Sequence, residues 1–390
     1  MSEAQLELPA PLGGDLVGLT QIEFTYQAAG GEERDISATI FYPAGPASAM
    51  PAGLHRAPYA FPEVVPALRL QAGDDLRLDF LNTRTHAYPG APFADRQAAY
   101  PLVIFNHGYL FHEMSNTVLC SDLASHGYIV ASVSHPGETA AIRYADGRIG
   151  LPYEWVVERY TSGSVMGPDL VAAFEAIHAV PEGDTAQLIA KARAYYQLSP
   201  GLNQRVTVWA EDCMRAVDVL AEMNQGTRPS PFTGRLRLEL GYAATGHSFG
   251  GATAAQLCHD DARCACGVNI DGGLFGESYE DDLRKPLLTL ANPHLWKMNQ
   301  AAFRNNSADA FHLAVLDGTH SGFTDFLFTA PEALASGVLG TRDPLNYREL
   351  VTVAHLRFFE TYLLKQAGRF SDPGYENTKF HAKRASRTVA

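Results

Sequence analysis

Apolar residues in this chain gather into short unbroken runs more often than into alternating patterns. Leu102-Val103-Ile104-Phe105 and Tyr128-Ile129-Val130-Ala131 carry no polar interruption, which is how strands covered on both faces of a parallel sheet read. Runs of this kind, with β-branched and aromatic residues, predict strands at Thr20–Tyr26, Ile36–Tyr42, Leu102–Asn106, Tyr128–Ser134, Gly241–Thr245, Gly267–Asp271, Leu287–Ala291 and Phe311–Leu316. Helical segments follow several of them, at Asn116–His126, Val206–Met223, Gly250–His259 and Tyr347–Lys365. Strand-then-helix alternation implies a parallel sheet with right-handed crossovers. The first two strands have no helix between them and predict an antiparallel start. The expected fold is α/β, with a mostly parallel central sheet of about eight strands flanked by helices.

Two stretches interrupt that order. Ala52–Ala99 is rich in Pro, Ala and Arg and reads as a long insertion. Gly147–Gln204 separates two core elements and carries Trp155, Tyr160, Phe174, Tyr195 and Tyr196. It reads either as a helical excursion packed on the core or as a cap or lid over a site, since long insertions are commonly functional. The expected organisation is a single domain over residues 13–370, with insertions at 52–99 and 147–204.

With 390 residues, 46% of them apolar, the chain can bury a large core. A net charge of −13 and a pI near 5.5 argue against a nucleic-acid partner, which calls for a basic patch, and against a polyanionic substrate. The five cysteines, Cys120, Cys213, Cys258, Cys264 and Cys266, lack the paired spacing of a zinc site and suggest no disulfide framework. Cys258, Cys264 and Cys266 read as one helix cysteine and two strand cysteines. Reduced thiols suit the cytoplasm. Met1–Pro11 has acidic residues and no apolar core of a secretory signal, and no stretch approaches the ~20 apolar residues of a membrane span. A cytoplasmic protein is expected.

The candidate chemistry centres on Gly246-His247-Ser248-Phe249-Gly250. The G-x-S-x-G pattern follows a predicted strand and opens a helix of small residues, Gly251-Ala252-Thr253-Ala254-Ala255. That context is the nucleophile elbow of the α/β-hydrolase fold. The turn forces strained dihedrals on the serine, flanking side chains would strike the neighbouring strand and helix, and the helix N-terminus favours developing negative charge.

A serine hydroxyl needs a base, and the base an orienting acid; this fold orders them Ser, Asp or Glu, then His. His320, in Leu316-Asp317-Gly318-Thr319-His320-Ser321-Gly322, directly follows the last predicted strand, so a turn there lifts its ring to the sheet's C-terminal edge beside Ser248. His312 lies within a strand and His355 within the final helix, which reads as structural; His259 and His294 are weaker rivals. For the acid, Asp271 closes Gly267-Val268-Asn269-Ile270-Asp271 at the same edge. Asp260 and Asp261 lie at a helix end and Asp317 is placed to shape the His320 turn. The next strand ends at Asn292, which offers no carboxylate. An oxyanion hole needs two backbone N–H donors. Phe249, after the serine, supplies one, and Tyr109, in the Asn106-His107-Gly108-Tyr109 turn after an early strand, is the candidate for the other. Tyr109, Phe111, Phe249 and Phe275 bring aromatic surface toward the serine, where packing in the core is an equal reading. His107, Phe111 and Phe275 are candidate pocket residues, with His107 a hydrogen-bonding rather than basic group because it precedes the serine.

Phe105-Asn106-His107-Gly108, the run Asp122-Leu123-Ala124-Ser125-His126-Gly127-Tyr128-Ile129-Val130, Gly246 to Thr253, and Thr319-His320-Ser321-Gly322-Phe323-Thr324-Asp325-Phe326 together resemble the platelet-activating-factor acetylhydrolase family, whose wider group includes lipoprotein-associated phospholipases and bacterial esterases. Gly18–Tyr26 and Asp35–Pro43 fit that family's first hairpin, and the resemblance covers roughly Gly13–Leu364. It implies Ser248 as nucleophile, Asp271 as acid, His320 as base and the Tyr109 and Phe249 amides as oxyanion donors. The family places its acid soon after the serine, and 271 − 248 = 23 residues fits that arrangement. The resemblance further implies no metal or organic cofactor, and small-molecule esters with short or oxidised acyl groups as substrates, including those on phospholipids, hence a role in lipid degradation. The chain departs from the family in Gly272-Gly273-Leu274-Phe275, which lacks an expected Trp, and in Tyr109-Leu110-Phe111-His112-Glu113. The expectation is a serine carboxylic-ester hydrolase. The alternatives are a lactonase, amidase or polyester hydrolase with the same triad, or an inactive hydrolase-fold binding protein. Leu170-Val171-Phe174-Ile177 has the spacing either of a lipid-contacting face or of a core-facing helix.

Overall fold

A computed structural model of the chain describes residues 6–72, 79–162, 167–181, 183–366 and 368–385; residues 73–78 of one predicted insertion and 163–166 and 182 of the other lie outside them. Twelve strands occur among the described residues: β1 (Leu16–Gln27), β2 (Glu33–Ala44), β3 (Ala87–Pro89), β4 (Leu102–Asn106), β5 (Ile129–Val133), β6 (Ile142–Arg143), β7 (Ile149–Gly150), β8 (Tyr242–His247), β9 (Cys264–Ile270), β10 (Leu287–Ala291), β11 (Ala310–Val315) and β12 (Thr378–Lys383). Ten form one sheet in the order β12-β11-β10-β9-β8-β4-β5-β2-β1-β3, and β6 and β7 pair separately. From β5 to β11 through the centre every pairing is parallel. The β1–β2 start is antiparallel, and so is the pairing of β2 on β5. The runs read as doubly covered strands are so: every residue of β4, β5, β10 and β11 is buried.

The sheet has ten strands where about eight are expected. The two additional ones sit at its edges. β3 is three residues ending in Pro, inside the Ala52–Ala99 stretch, and pairs with β1. β12 is the polar hexapeptide Thr378–Lys383, beyond residue 370, and pairs antiparallel with β11. Edge strands are kept short, charged or Pro-bearing because one side of their backbone has no hydrogen-bonding neighbour, so neither carries the apolar run that marks an inner strand.

Alternation along β4 divides the core. Leu102 and Ile104 pack into one layer with Ala210, Cys213 and Ala216 of the helix Pro200–Gln225 and Ala254 and Leu257 of the helix Phe249–Asp260. Val103 and Phe105 point to the other layer, with Leu119 and Leu123 of the helix Thr117–Ser125 and Leu350, Ala354 and Phe358 of the helix Pro344–Tyr362. This is the period of two expected of a strand between helices. The longest helix, Pro200–Gln225, starts with Pro in its first turn and stops at Gly226, whose φ of 78° is left-handed, as helix chemistry favours at each end. Shorter helices, Glu154–Thr161, Pro168–His178 and Thr185–Gln197, precede it. Among the described residues no helix is long and apolar enough to cross a membrane.

Candidate active site

β8 runs into the helix Phe249–Asp260 through one residue, Ser248. Its φ of 57° and ψ of −120° lie where a residue with a side chain is strained. The turn is tight enough to demand glycine on both sides: a Cβ on Gly250 would strike the Asn106 carbonyl, and one on Gly246 the Gly250 carbonyl. The Ser248 carbonyl accepts from Gly251 and Ala252 while its own N–H donates to the Ile270 carbonyl, so the serine is pinned between β9 and the helix behind it.

The side chain expected to act as acid arrives from β9. Asp271 follows that strand with φ of 55°, its N–H bonded to Leu290 O. His320 follows β11 in the Asp317–Ser321 turn, where Arg342 pairs with Asp317. The His320 Nδ1–H donates to Asp271 Oδ2 at 2.6 Å, and its Nε2 lies 2.9 Å from Ser248 Oγ. Hydroxyl, imidazole and carboxylate thus form one hydrogen-bonded line, a geometry that can draw a proton from oxygen as that oxygen attacks carbon.

Asn292 enters this line from an unexpected direction. Its N–H donates to Asp271 Oδ1 at 2.6 Å and its Nδ2–H to Oδ2 at 2.8 Å. In the sequence it is only a residue without a carboxylate; its place one strand over, at the same edge, is the signal that marks it. His247 is a second such residue. Its Nε2 lies 2.9 Å from the His320 carbonyl, and burial, then the neighbouring His320, hold its pKa well below the ordinary imidazole value. It therefore packs beneath His320 as a neutral ring.

Of the rival groups, His294 lines the cavity at Ser248 without bonding the serine or Asp271, and His312, His355 and His259 lie elsewhere. His312 is buried on Trp296 and pushed down to about 3 by burial. His355 bonds Val351 O and the Thr245 hydroxyl and is pushed down to about 4 by burial. His259 sits against Asp260 at 2.6 Å. His259, Asp260 and Glu277 bring ligand atoms within 4.8 Å of one another at the surface but share no residue with the cavity at Ser248. Cys258 and Cys264 are buried with sulfurs 3.6 Å apart, and all five cysteines are free thiols.

After β4, His107 and Gly108 bring the chain against the serine: a Cβ on Gly108 would lie 3.5 Å from Ser248 Cβ. Leu110 takes a left-handed φ of 57°, and Phe111 N–H closes the turn on Gly108 O. That reversal separates the aromatics. Tyr109 faces the serine's side, its ring 5.3 Å from Phe249. Phe111 turns away to pack on His247 and Phe326. His107 is buried with its Nε2 on the Thr139 hydroxyl. Of the three candidate pocket residues, only Phe275 lines the cavity at Ser248.

That cavity has a volume of about 560 Å³, and Ser248, Asp271, Asn292 and His320 are among the residues that line it. Tyr109, Tyr160, Phe174, Tyr195, Phe249 and Phe275 provide aromatic wall, and Leu170, Leu202, Leu295 and Met298 aliphatic wall, with Arg159 and His294 as polar members. Of Leu170, Val171, Phe174 and Ile177, Leu170 and Ile177 are buried and only Val171 is exposed; Leu170 and Phe174 face the cavity.

The family model described as "Platelet-activating factor acetylhydrolase, isoform II" matches residues 1–372. Among curated relatives, the platelet-activating factor acetylhydrolase of Gallus gallus is 23% identical over 68% of this chain and 62% of that protein. That of Cavia porcellus is 26% identical over 68% of this chain and 58% of that protein. The matched region thus spans about 60% of those relatives' length. Among solved structures, a ferulic acid esterase from Streptomyces cinnamoneus superposes with a TM-score of 0.67, covering 97% of this chain and 99% of that one at 23% identity. The fold is that of the α/β-hydrolases.

Proposed function

The chain belongs to the platelet-activating factor acetylhydrolase isoform II family, and on that premise we propose that it is a serine carboxylic-ester hydrolase working through Ser248, His320 and Asp271. The observation that carries this reading is the unbroken hydrogen-bonded line from Ser248 Oγ through His320 to Asp271 in the lining of a cavity.

In the proposed reaction His320 Nε2 takes the serine proton as Oγ attacks the ester carbonyl. The carbonyl oxygen gains negative charge and is held by the Tyr109 and Phe249 amides, neither of which has a protein acceptor among the described residues. The carbon–oxygen bond to the alcohol then breaks, and the alcohol leaves with the proton from His320. Water, giving its proton to the same nitrogen, attacks the acyl-serine; the acid departs and Ser248 regains its proton. Asp271 keeps Nδ1 protonated and Nε2 free to accept. Asn292, bonded to both Asp271 oxygens, directs that carboxylate. No step calls for a metal or organic cofactor.

Short-acyl esters, including phospholipid-type ones, are the substrates that family membership favours. A second reading, aryl or other bulky acyl groups, is favoured by the cavity itself: about 560 Å³ with six aromatic residues in its walls is far more room than an acetyl group needs, and sites of ~300–1,000 Å³ commonly hold drug-sized ligands. Residues 147–204 are read as a cap, since Tyr160, Leu170, Phe174, Tyr195 and Leu202 come from that stretch. The free buried thiols support a reducing compartment.

The test is a para-nitrophenyl ester series from acetate to palmitate, extended to a cinnamoyl ester, with wild type and Ser248→Ala side by side. We expect hydrolysis that falls by at least ~10⁴-fold in the variant. A preference for acetate over cinnamate supports the first substrate reading, and the reverse order the second. Undiminished hydrolysis by Ser248→Ala would sink the proposal.

A further inference from the structure

The Tyr109 amide is useful as an oxyanion donor only if its loop is held still, and the residue after it, Leu110, is in a strained left-handed conformation. Something must over-determine that geometry. Glu138 contacts the loop twice. Its backbone carbonyl accepts the Leu110 N–H at 2.9 Å. Its carboxylate Oε1 accepts the Tyr109 hydroxyl at 3.0 Å.

The carboxylate is itself fixed. It is fully buried and takes the Trp209 indole N–H at 2.9 Å and Arg205 Nη2 at 2.6 Å, both on Oε2. Arg205 and Trp209 come from the helix Pro200–Gln225, so the loop is tied through Glu138 to the longest helix of the fold. The Trp209 ring also lies near-parallel to Tyr109 at 6.0 Å and edge-on to Phe249 at 4.9 Å. Both proposed oxyanion residues therefore touch the group that anchors Glu138. A buried carboxylate with this many charge-assisted donors has little freedom to move.

We infer that Glu138 is a positioning residue for ester hydrolysis, holding the Tyr109 amide on the tetrahedral oxygen through the Tyr109 hydroxyl and the Leu110 N–H. This rests on the esterase reading above. Glu138 does not line the cavity and acts on the reaction only through the loop. Its effect belongs to the transition state, where the oxygen is charged, and not to ground-state binding.

Tyr109→Phe isolates the effect, since the ring stays in the cavity wall and only the hydroxyl bond to Glu138 is lost. The readouts are kcat and KM on the best para-nitrophenyl ester, and the dissociation constant of an alkyl trifluoromethyl ketone, whose adduct on the serine carries the same oxyanion. We expect kcat to fall about 10-fold, less than the ~10²–10³-fold of deleting a donor outright. KM should stay within about twofold, and the ketone should weaken by the same factor as kcat. Glu138→Gln should give a similar split, and the double variant should be little worse than either single one, because both break the same connection. If Glu138→Gln does not fold, Tyr109→Phe decides alone. Unchanged kcat and ketone affinity in Tyr109→Phe overturns the inference, as does a loss confined to KM. A wild-type chain that neither cleaves esters nor binds the ketone removes the esterase reading instead.

Discussion

Two polar clusters flank Ser248, and they are built on opposite principles. On the His320 side the contacts are few and the ring is open: the imidazole is 49% exposed, and its buried carboxylate is held, among the described residues, by Asn292 besides the ring itself. On the Tyr109 side the charges are sealed. Arg34 and Asp212 are both fully buried and joined by a two-pronged bond at 3.0 and 2.6 Å, with His135 and Tyr26 on the same carboxylate. Next to them the buried Glu138 and Trp209 form a second set with the half-buried Arg205 and Glu32. In the proposed reaction the open side's ring and hydroxyl exchange protons with substrate and water. The sealed side has only to stay in place. The contrast teaches that polar groups around one serine divide, on the proposed reading, into those that react and those that hold, and that the number of charge-assisted bonds on a group, more than its burial, separates them.

If that division is right, damage to the two sides has different signatures. The largest effect is expected on the open side. Asp271→Asn keeps the shape but offers the ring the wrong partner; kcat should fall ~10³–10⁴-fold with the melting temperature nearly unchanged. A comparable loss of stability there would blur the distinction. On the sealed side, Arg34→Met leaves the buried Asp212 without its guanidinium partner, held, among the described residues, only by His135 and Tyr26, which costs ~3–5 kcal/mol of stability; chemical denaturation should show this, and residual activity per folded molecule should be close to wild type. Asp212 shows why: burial alone would raise its carboxyl, yet the Arg34 charge and the bonds from His135 and Arg34 hold it below the ordinary value.

Acid should sharpen the same line. His112, His312 and His355 are buried away from the site and pushed down to about 4, 3 and 4 by burial. Their folded pKa values lie below the unfolded value near 6.5, so the unfolded chain binds more protons as pH falls. The stability they permit is full above about pH 6.5 and is lost progressively down to about pH 4. Each proton is worth ~1.4 kcal/mol per pH unit. Asp212, with its depressed carboxyl, loses stability in the same direction at lower pH. Glu113 and Asp325, which burial pushes up, act in the opposite sense but are outnumbered. Denaturation midpoints between pH 7.5 and 5 should therefore fall; a flat or rising profile would contradict this. The smallest effect is expected from Asn292→Ala, which removes the Nδ2–H bond to Asp271 Oδ2 and keeps the backbone N–H bond to Oδ1; losing that one bond to a charged group should lower kcat about 10-fold, with KM unchanged. A change in KM alone would place Asn292 on the substrate instead.

The sequence made the open side legible and left the sealed side hidden. Ser248, Asp271 and His320 each follow a strand whose apolar run is plain in the sequence, and each must rise at the same sheet edge, so strand order sufficed to bring them together. Asn292 ends a recognised strand but was set aside for want of a charge; what it contributes is a bond to a neighbour's carboxylate, which no single segment displays. Glu138 and Arg205 sit in the irregular stretch after β5 and in a helix face, 67 residues apart, and nothing local marks Glu138 as buried or the two as a pair. The edge strands β3 and β12 are short or charged, as strands without a second hydrogen-bonding neighbour are, and so show no apolar run. Phe111 and His107 were expected at the pocket because they neighbour Tyr109, but the left-handed turn at Leu110 sends adjacent residues to different sides, and turn geometry is not written in hydrophobic pattern.

The measurement closest to the central claim is intact-mass and peptide mapping after treatment with a fluorophosphonate, which traps an activated serine whatever ester it prefers. One adduct on the peptide containing Ser248, absent from Ser248→Ala and greatly slowed in Asp271→Asn, is the predicted result. An unlabelled wild type, or an adduct on another residue that persists in Ser248→Ala, would contradict the account.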